Sequence, residues 1–534
     1  MSILEQKMMF GGREVLVIFI SAIVMGLVFF AVLYMQDDYS LIYYGDAVSH
    51  LYSARRFVDS QDPGILNQLG TVWLPVPHLM FLPFSLIDEL LSSGIAGMIV
   101  SLPCHAVASV LIYKIIRYQF GYSYIAIIGG FLYASNPNLI YLGITAMTEA
   151  PFLLFFIAFV YYFQRWNFRL TSSENNLKYL VLASVFISLA TLCRYESWII
   201  PVVFVLLVIY TMIKKNKNKT TYAILLSLIS LSGILFWVGF NQVYYDNPLE
   251  FADSQFYSTS SQAIERPYRD FLYLQPINVL TIYGMAATMV SSPILLGFAA
   301  VGFGMYLKER KNELGKLVIF LSLPPLFTLA TLYIGIGEMS QWWFNARFAT
   351  FLFPLVILLT CFFVFKIVPK IKHVCPAVAT LIIGVFVFQL LSPTFGVVTY
   401  LDAVGGWTYG TTPYTIEAGE FLQTEYDDGR IMIMTGSSQA HRIMLLSEVD
   451  FKRYDEGIEA FSWKQYVKEP WKHDKWIVMG TDPDSDSSSI VNYWKEKLDV
   501  LEQHYTQVFE NEHYKIFVKR QFYIDSSNLL FRSG

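Results

Sequence analysis

Long apolar segments dominate the first 396 residues of this 534-residue chain, and they decide what kind of fold it can adopt. The first segment, residues 15–35, is about 21 residues long, which as a helix crosses the ~30 Å hydrocarbon core of a bilayer. It is longer than the core of a signal peptide, and no small-residue cleavage site follows it. We therefore expect a membrane protein whose first helix is retained.

Further apolar segments bring the predicted number of membrane spans to about eleven. We place the spans at residues 15–35, 95–116, 122–141, 149–166, 178–193, 197–213, 221–243, 282–306, 315–335, 346–366 and 374–396. Composition agrees, because apolar residues make up 55% of the chain and charged residues only 15%, against about 25% charged residues in soluble domains. The predicted fold class is an α-helical polytopic membrane protein.

The basic residues of the short connections predict the orientation, because such connections stay in the cytoplasm. Basic connections alternate with connections that are nearly free of lysine, and the basic ones contain Lys7, Arg13, Lys114, Arg117, Arg165, Arg169, Lys178, Lys214, Lys215, Lys217, Lys219, Lys308, Arg310, Lys311, Lys316, Lys366, Lys370 and Lys372. The N-terminus is then cytoplasmic, and an odd number of spans places the C-terminus outside. We expect a multi-pass protein of the plasma membrane.

The chain changes character near residue 397. Residues 1–396 form the predicted transmembrane domain, with long outer loops at residues 36–94 and 244–281. The more charged residues 397–534 predict a small extracytoplasmic α/β domain, with strands at 430–435, 475–479 and 514–519 and helices at 415–425 and 437–448. None of the four cysteines lies in this domain, so no disulfide is expected there. No broad basic surface is present, which argues against nucleic acid as a partner.

The segment of residues 178–213 is basic at both ends, so both ends are predicted to be cytoplasmic. Each of its two apolar arms has only about 16 residues, or roughly 24 Å of helix, which is shorter than the hydrocarbon core. The polar tip, Arg194-Tyr195-Glu196, is therefore expected below the outer surface, at the floor of an outward-facing cavity.

Polar residues of the first outer loop are candidates for catalysis. Asp46 and His50 are four residues apart, so on a helix they share a face, where a carboxylate beside an imidazole can act as a base. Arg56 lies to the side of the same helix. The alternative interpretation is that Asp46 and His50 form only a surface ion pair.

Trp73 and His78 lie further along the first outer loop, where they either line the cavity or anchor the loop at the membrane interface. The spacing of these histidines matches no known metal motif, so no metal is predicted.

Charged residues at the outer ends of later spans are the other candidates. Thr148 and Glu149 begin the fourth span, whose positive helix end favours an anion, although Glu149 also suits any first helical turn. Arg194 and Glu196 cost free energy in the membrane unless they face a cavity or pair with one another. Arg347 begins the tenth span among aromatic residues, where it either binds a lipid phosphate or extends to the headgroups.

Taken together, the aspartate of the first outer loop, the Thr148-Glu149-Ala150-Pro151 helix start, the basic hairpin tip and the arginine of a late span resemble the GT-C superfamily. The match within it is to the protein O-mannosyltransferase and aminoarabinose transferase branch, over about residues 1–400. Asp46 is followed by Ala47, whereas the mannosyltransferases carry an Asp-Glu pair. The Trp-Trp-Asp-Tyr-Gly signature of oligosaccharyltransferases is absent, which disfavours oligosaccharide transfer and its metal dependence.

The resemblance implies a glycosyltransferase, hexosyl or pentosyl, that uses a polyprenyl-phosphate sugar such as a dolichyl-phosphate sugar on the outer side. It implies a catalytic role for Asp46 and donor phosphate contacts for Arg194 and Arg347. The residues themselves add His50 as a catalytic partner of Asp46 and Glu196 as the residue that holds Arg194 in the donor phosphate and lipid site. Arg56, Trp73, His78 and Glu149 would line the cavity or bind the acceptor, which is a protein, lipid or glycan. Direct displacement inverts the anomeric centre, and no cofactor is expected.

Two other classes of function remain open at the level of the sequence. A secondary transporter is expected to show repeat symmetry and broken midplane helices, and neither is evident here. A non-catalytic assembly protein of the cell envelope predicts no coherent polar cavity. The shared outer position of Asp46, Glu149, Arg194 and Arg347 favours the enzyme.

Overall fold

The computed structural model describes fifteen stretches of the chain, and all structural statements concern these: residues 12–70, 72–169, 177–214, 220–253, 269–309, 312–340, 344–367, 384–385, 387–388, 391–392, 397–408, 412–433, 438–456, 466–481 and 489–520. The chain forms two compact units. The first unit comprises residues 1–40, 70–80 and 97–402, and the second comprises residues 41–69, 81–96 and 403–534.

Apolar α-helices build the first unit. They are Gly12–Tyr34, Ile95–Phe120, Ser123–Ala134, Pro137–Ile144, Glu149–Arg169, Leu177–Thr191, Ile199–Lys214, Thr220–Leu228, Ser232–Tyr245, Glu250–Asp253, Arg269–Leu272, Pro276–Ser291, Pro293–Glu309, Asn312–Tyr333, Phe353–Ile367 and the start of Val398–Thr408. Short 3-10 helices lie at Tyr195–Ser197, Ile229–Leu231 and Ala346–Leu352. The core between them is largely aromatic, with Phe159, Phe163 and Phe320 in edge-to-face contact.

The helices confirm a polytopic membrane protein. Within the described ranges, six helices are long and apolar enough to cross a membrane, or up to eight if each of two bent pairs is one span. The shorter helix Leu177–Thr191 is also apolar. The predicted number of eleven spans is not confirmed, and most of the predicted span 374–396 lies outside the described residues.

Two predicted spans are wrong as single helices. Span 122–141 is divided into Ser123–Ala134 and Pro137–Ile144, which meet at 57°, and span 282–306 is bent more sharply. Residues 282–306 were expected to cross the membrane without a break, but helix Pro276–Ser291 and helix Pro293–Glu309 meet at 108°. Between them, Ser292 has a φ of 65°. The helix cannot continue through this left-handed residue, and the proline that follows has no backbone N–H to donate to the preceding turn.

The short-armed hairpin is confirmed. Its arms are Leu177–Thr191, with 15 residues, and Ile199–Lys214, with 16 residues. Between them the backbone is extended at Arg194, and a 3-10 turn follows at Tyr195–Ser197. The polar tip is therefore a true break in the helical structure and exposes backbone groups to other partners.

A five-stranded sheet forms the centre of the second unit. Its strands are β1 (Ile431–Ile433), β2 (Tyr454–Asp455), β3 (Trp476–Gly480), β4 (Tyr505–Glu510) and β5 (Tyr514–Lys519). The strand order is β2-β1-β3-β5-β4, with β1 parallel to β2 and β3, and β5 antiparallel to β3 and β4. This confirms the small C-terminal α/β region, and β2 and β4 add to the three predicted strands.

Helices from two parts of the chain accompany the sheet. From the C-terminal part come Thr412–Glu425, Ser438–Ser447, Ser489–Trp494 and Leu498–His504, with 3-10 turns at Phe451–Arg453 and Pro470–Lys472. From the first outer loop come Gly45–Arg56, which we call the loop helix, Asp88–Ser92 and the end of Pro75–Ser85. The sequence grouped this loop with the transmembrane domain, whereas most of it belongs to the same compact unit as the sheet.

Candidate active site

Three distant segments of the first unit bring four charged side chains together. Glu149 is the first residue of helix Glu149–Arg169, Arg194 and Glu196 form the hairpin tip, and Arg347 lies in the 3-10 turn Ala346–Leu352 that leads into helix Phe353–Ile367. We call Glu149, Arg194, Glu196 and Arg347 the charged cluster. All four were predicted as site residues.

Arg194 is the centre of this cluster. Its Nε donates to Oε2 of Glu196 at 3.2 Å and its Nη2 donates to Oε1 at 2.9 Å, so the two side chains form parallel hydrogen bonds. Its Nη1 donates to Thr148 Oγ1 and to Glu149 Oε1, both at 2.9 Å. All three guanidinium nitrogens of Arg194 are therefore engaged within the protein.

Glu149 joins the two arginines. Its side chain is fully buried, and its Oε1 also lies 3.6 Å from Nε of Arg347, which is an ion pair beyond hydrogen-bond length. The other carboxylate oxygen, Oε2, is buried and has no hydrogen-bond partner within the described ranges. One oxygen of Glu149 thus serves both cations, and the other is left unsatisfied.

Aromatic rings cover the apolar faces of the cluster. The guanidinium carbon of Arg194 lies 5.2 Å from the ring centre of Phe348 and 5.1 Å from that of Phe351. Arg347 approaches the Phe348 ring at 5.4 Å. Such cation–π contacts stabilise desolvated cations by about 1–2 kcal/mol each.

Residues 70–80 of the first outer loop hold the hairpin tip in place. Tyr195 donates its hydroxyl to the carbonyl of Val72 at 2.6 Å, and the backbone N–H of Val76 donates to the carbonyl of Leu192 at 3.1 Å. Trp73 and His78 lie in this segment, with ring centres 6.1 Å apart, and His78 is only 1% exposed. Both predicted cavity residues therefore belong to the segment that contacts the tip.

Tyr283 is a neighbour of the cluster that the sequence did not reveal. Its hydroxyl is buried, has no hydrogen-bond partner among the described residues and lies within electrostatic range of Glu196. Nothing distinguishes it in the sequence from the other tyrosines of a chain that has 35.

Asp46, His50 and Arg56 lie on the loop helix of the second unit. The helix confirms the predicted spacing, with Asp46 in its first turn and His50 one turn later. His50 is buried, at 7% exposure, whereas Asp46 is partly exposed. Arg56 covers the ring of Tyr52 at 5.2 Å. The loop helix thus presents an accessible carboxylate beside a buried imidazole.

A second histidine contacts the loop helix and was missed by the sequence analysis. The Ser49 hydroxyl and Nδ1 of His441 are 2.9 Å apart, and the imidazole stacks on Tyr52 with ring centres 3.9 Å apart. Burial, together with the charge of Arg56, lowers the pKa of His441 to about 3. His441 is therefore neutral and structural at physiological pH. No signal in the sequence joins two residues 392 positions apart.

Metal ligation finds no support in the described ranges. There, no group of three or more His, Cys, Asp or Glu side chains has an arrangement that could hold a metal ion. The absence of a metal stays a prediction.

Comparison with known proteins identifies similar sequences and folds. A family model described as dolichyl-phosphate-mannose-protein mannosyltransferase matches residues 76–238, a range that contains Glu149, Arg194 and Glu196. Among curated proteins, no relative matches this chain.

The fold is similar to that of solved membrane enzymes. An oligosaccharyltransferase of Archaeoglobus fulgidus, tethered to an acceptor peptide, matches with a TM-score of 0.51 at 12% identity, over 93% of this chain and 73% of that one. The same enzyme in complex with an inhibitory peptide and a dolichol-phosphate matches with a TM-score of 0.51 at 11% identity, over 96% and 74%. ArnT of Cupriavidus metallidurans aligns with a TM-score of 0.47 at 10% identity, over 89% and 97%.

Proposed function

We propose that this chain is a membrane glycosyltransferase of the GT-C superfamily and that it transfers one sugar from a polyprenyl-phosphate donor to an acceptor at the extracytoplasmic surface. The observation that carries this proposal is the charged cluster, in which two arginines meet inside an apolar unit. A cation pair of this kind suits a phosphate that leaves water together with a lipid chain.

The two arginines have different roles in this proposal. All three guanidinium nitrogens of Arg194 donate hydrogen bonds to protein groups. Arg194 therefore fixes the shape of the site and attracts the phosphate through its positive charge more than through direct hydrogen bonds. Arg347 Nε lies 3.6 Å from Oε1 of Glu149, and in this proposal the Arg347 guanidinium contacts the donor phosphate. The partly exposed Phe348 provides the apolar surface along which the first isoprene units of the lipid lie, and the fully buried Phe351 packs behind Arg194.

The base of the reaction is Asp46. It accepts the proton of the acceptor hydroxyl while that oxygen bonds to the anomeric carbon, and the bond from this carbon to the phosphate oxygen breaks with its electron pair on the phosphate. Direct displacement inverts the anomeric centre, and a positioned base is worth about 10²–10⁴ in rate. His50 orients the carboxylate, while Arg56, Trp73, His78 and Glu149 shape the surroundings.

The substrates follow from this chemistry. The donor is a hexose or pentose on a dolichyl or other polyprenyl phosphate, and the acceptor is a protein, lipid or glycan of the cell envelope. Neither a cofactor nor a divalent metal takes part. The absence of the Trp-Trp-Asp-Tyr-Gly signature supports transfer of a single sugar, although the fold is shared with an oligosaccharyltransferase.

A binding and transfer assay tests the proposal. We expect purified protein in nanodiscs to bind a short-chain polyprenyl-phosphate sugar and to release polyprenyl phosphate when an acceptor is added. Arg347→Ala should weaken donor binding by about tenfold or more, because a charge-assisted contact to phosphate is lost. Arg165→Ala is a matched control, since Arg165 belongs to the same unit but donates to Tyr161 and Tyr179 instead. Equal donor binding by Arg347→Ala and wild type would remove the cluster from the donor site.

A further inference from the structure

The position of the Glu149 carboxylate resembles that of a bound anion. It lies between two guanidinium groups, at 2.9 Å from Arg194 Nη1 and 3.6 Å from Arg347 Nε. A phosphate oxygen is attracted to the same two cations by the same chemistry. In the absence of donor, Glu149 therefore fills the place that the proposed function assigns to phosphate.

The net charge of the cluster determines how strongly Glu149 competes with a phosphate for the two arginines. Two arginines and two glutamates sum to no net charge, and each of the four side chains is at most 14% exposed. A phosphate that approaches the arginines is attracted by them and repelled by both carboxylates at short range, where screening by water is weak. Removing the charge of one carboxylate must then strengthen phosphate binding, unless that carboxylate also holds an arginine of the site in position.

The contacts of Glu149 and Glu196 differ, and this difference shows which carboxylate a phosphate can displace from the arginines. Glu196 forms two parallel hydrogen bonds with Arg194, which fix that guanidinium. Glu149 makes one hydrogen bond with Arg194 and a longer ion pair with Arg347, and its second oxygen is buried without a partner. A buried carboxylate oxygen without a donor is costly, so the present arrangement holds Glu149 weakly.

We propose that Glu149 is a displaceable counter-ion of the donor site, an inference that rests on the proposed function. Without ligand, its carboxylate separates the two arginines and reduces their mutual repulsion. When the donor enters, the phosphate takes over Arg347, and Glu149 keeps only Arg194 and Thr148 as neighbours. After transfer, Glu149 returns to Arg347 and helps to expel the lipid phosphate.

Product release is the step that needs this exchange most. The donor is a phosphodiester with one negative charge, whereas the product is a phosphomonoester that carries up to two. Two buried arginines alone would hold the product more tightly than the donor, because the attraction grows with its charge. A competing internal carboxylate therefore increases turnover at the cost of affinity.

The substitution Glu149→Gln tests this inference, because it keeps the shape and an acceptor for Arg194 but removes the charge. With polyprenyl phosphate, without sugar, as the probe, we expect about tenfold tighter binding to the variant in nanodiscs. We also expect kcat and KM for transfer to fall together, since release becomes limiting. Glu313→Gln is the matched control: it removes a carboxylate of the same unit that pairs with Lys316 at 3.8 Å, and it should leave binding unchanged.

The outcomes separate this inference from the proposed function. If Arg347→Ala weakens binding but Glu149→Gln leaves it unchanged or weakens it, the counter-ion role is overturned and the donor site stands. If Arg347→Ala has no effect, the donor site itself is wrong. Should Glu149→Gln unfold, Glu149→Asp serves instead, because the shorter side chain withdraws the charge from Arg347. We expect it to bind polyprenyl phosphate more tightly than wild type, and weaker binding would overturn the counter-ion role.

Discussion

The charged cluster and the loop helix hold polar side chains in place by different physical means. In the cluster, four charged residues from three segments pair with one another in an apolar unit. On the loop helix, Ser49 and Tyr52 both pack on the neutral ring of His441, and Arg55 at its C-terminal end forms ion pairs with Asp59 and Asp88. The four residues of the cluster are held together by charge, whereas the contact between the loop helix and His441 depends on ring stacking and a hydrogen bond.

The comparison explains why one region was visible in the sequence and the other was not. A charge in an apolar segment is costly, so Glu149, Arg194 and Arg347 each point to a partner or a cavity. His441 lies in a polar segment where a histidine is unremarkable, and its partner Ser49 is 392 residues away. A single charged residue in an apolar segment therefore predicts a partner or a cavity, whereas a histidine in a polar segment predicts neither.

The largest effect is expected from breaking the cluster at its centre. Arg194→Ala leaves Glu149 and Glu196 buried without their principal partner, which typically costs 3–5 kcal/mol in the free energy of unfolding. We expect a clearly lowered melting temperature in detergent and loss of donor binding. Arg194→Lys should recover part of both, because lysine keeps the charge but not the two parallel hydrogen bonds. A fully stable Arg194→Ala protein would mean that the cluster does not depend on its charges.

Much of the cluster could be predicted from the sequence, because the features that position its residues are set by nearby residues in the chain. The short arms on either side of Arg194 and the Thr148 helix start are both present in the structure. The break at Ser292 was missed although Ser291-Ser292-Pro293 interrupts the apolar run, because a proline can also be accommodated within a membrane span. The contact of the loop helix with helix Ser438–Ser447 was also missed, because it depends on packing between residues 392 positions apart.

The next effect separates chemistry from binding. Asp46→Asn keeps the shape of the loop helix and removes the proposed base, so transfer should fall by about 10²-fold or more. Donor binding should be unchanged, because the donor phosphate belongs to the cluster. The measurement is single-turnover transfer beside equilibrium binding of the same short-chain donor. Wild-type transfer in this variant would take Asp46 out of the mechanism.

The smallest effect concerns His441 and the pH dependence of the second unit. Burial lowers its pKa in the folded protein to about 3, while in the unfolded chain it is near the ordinary value of 6.5. The unfolded chain therefore binds more protons between these values, and stability is lost as the pH falls below about 6.5. At pH 5 the loss is roughly 2 kcal/mol relative to pH 7.5.

A matched variant isolates this contribution from that of other buried groups. His441→Gln retains an acceptor for Ser49 but does not titrate, so its stability should depend less on pH by that same amount. Thermal unfolding of both proteins between pH 5 and pH 7.5 makes the comparison. Identical pH profiles would show that His441 is solvated or paired in a way that leaves it free to protonate.

The central claim is that the donor phosphate binds at the charged cluster, and a structure with bound lipid tests it most directly. We expect cryo-electron microscopy of the full chain with polyprenyl phosphate in nanodiscs to show lipid density along Phe348. The phosphate should lie about 3 Å from the guanidinium of Arg347, with Glu149 moved away from that arginine. Lipid density that ends elsewhere, with the ion pair between Glu149 and Arg347 unchanged, would contradict the account.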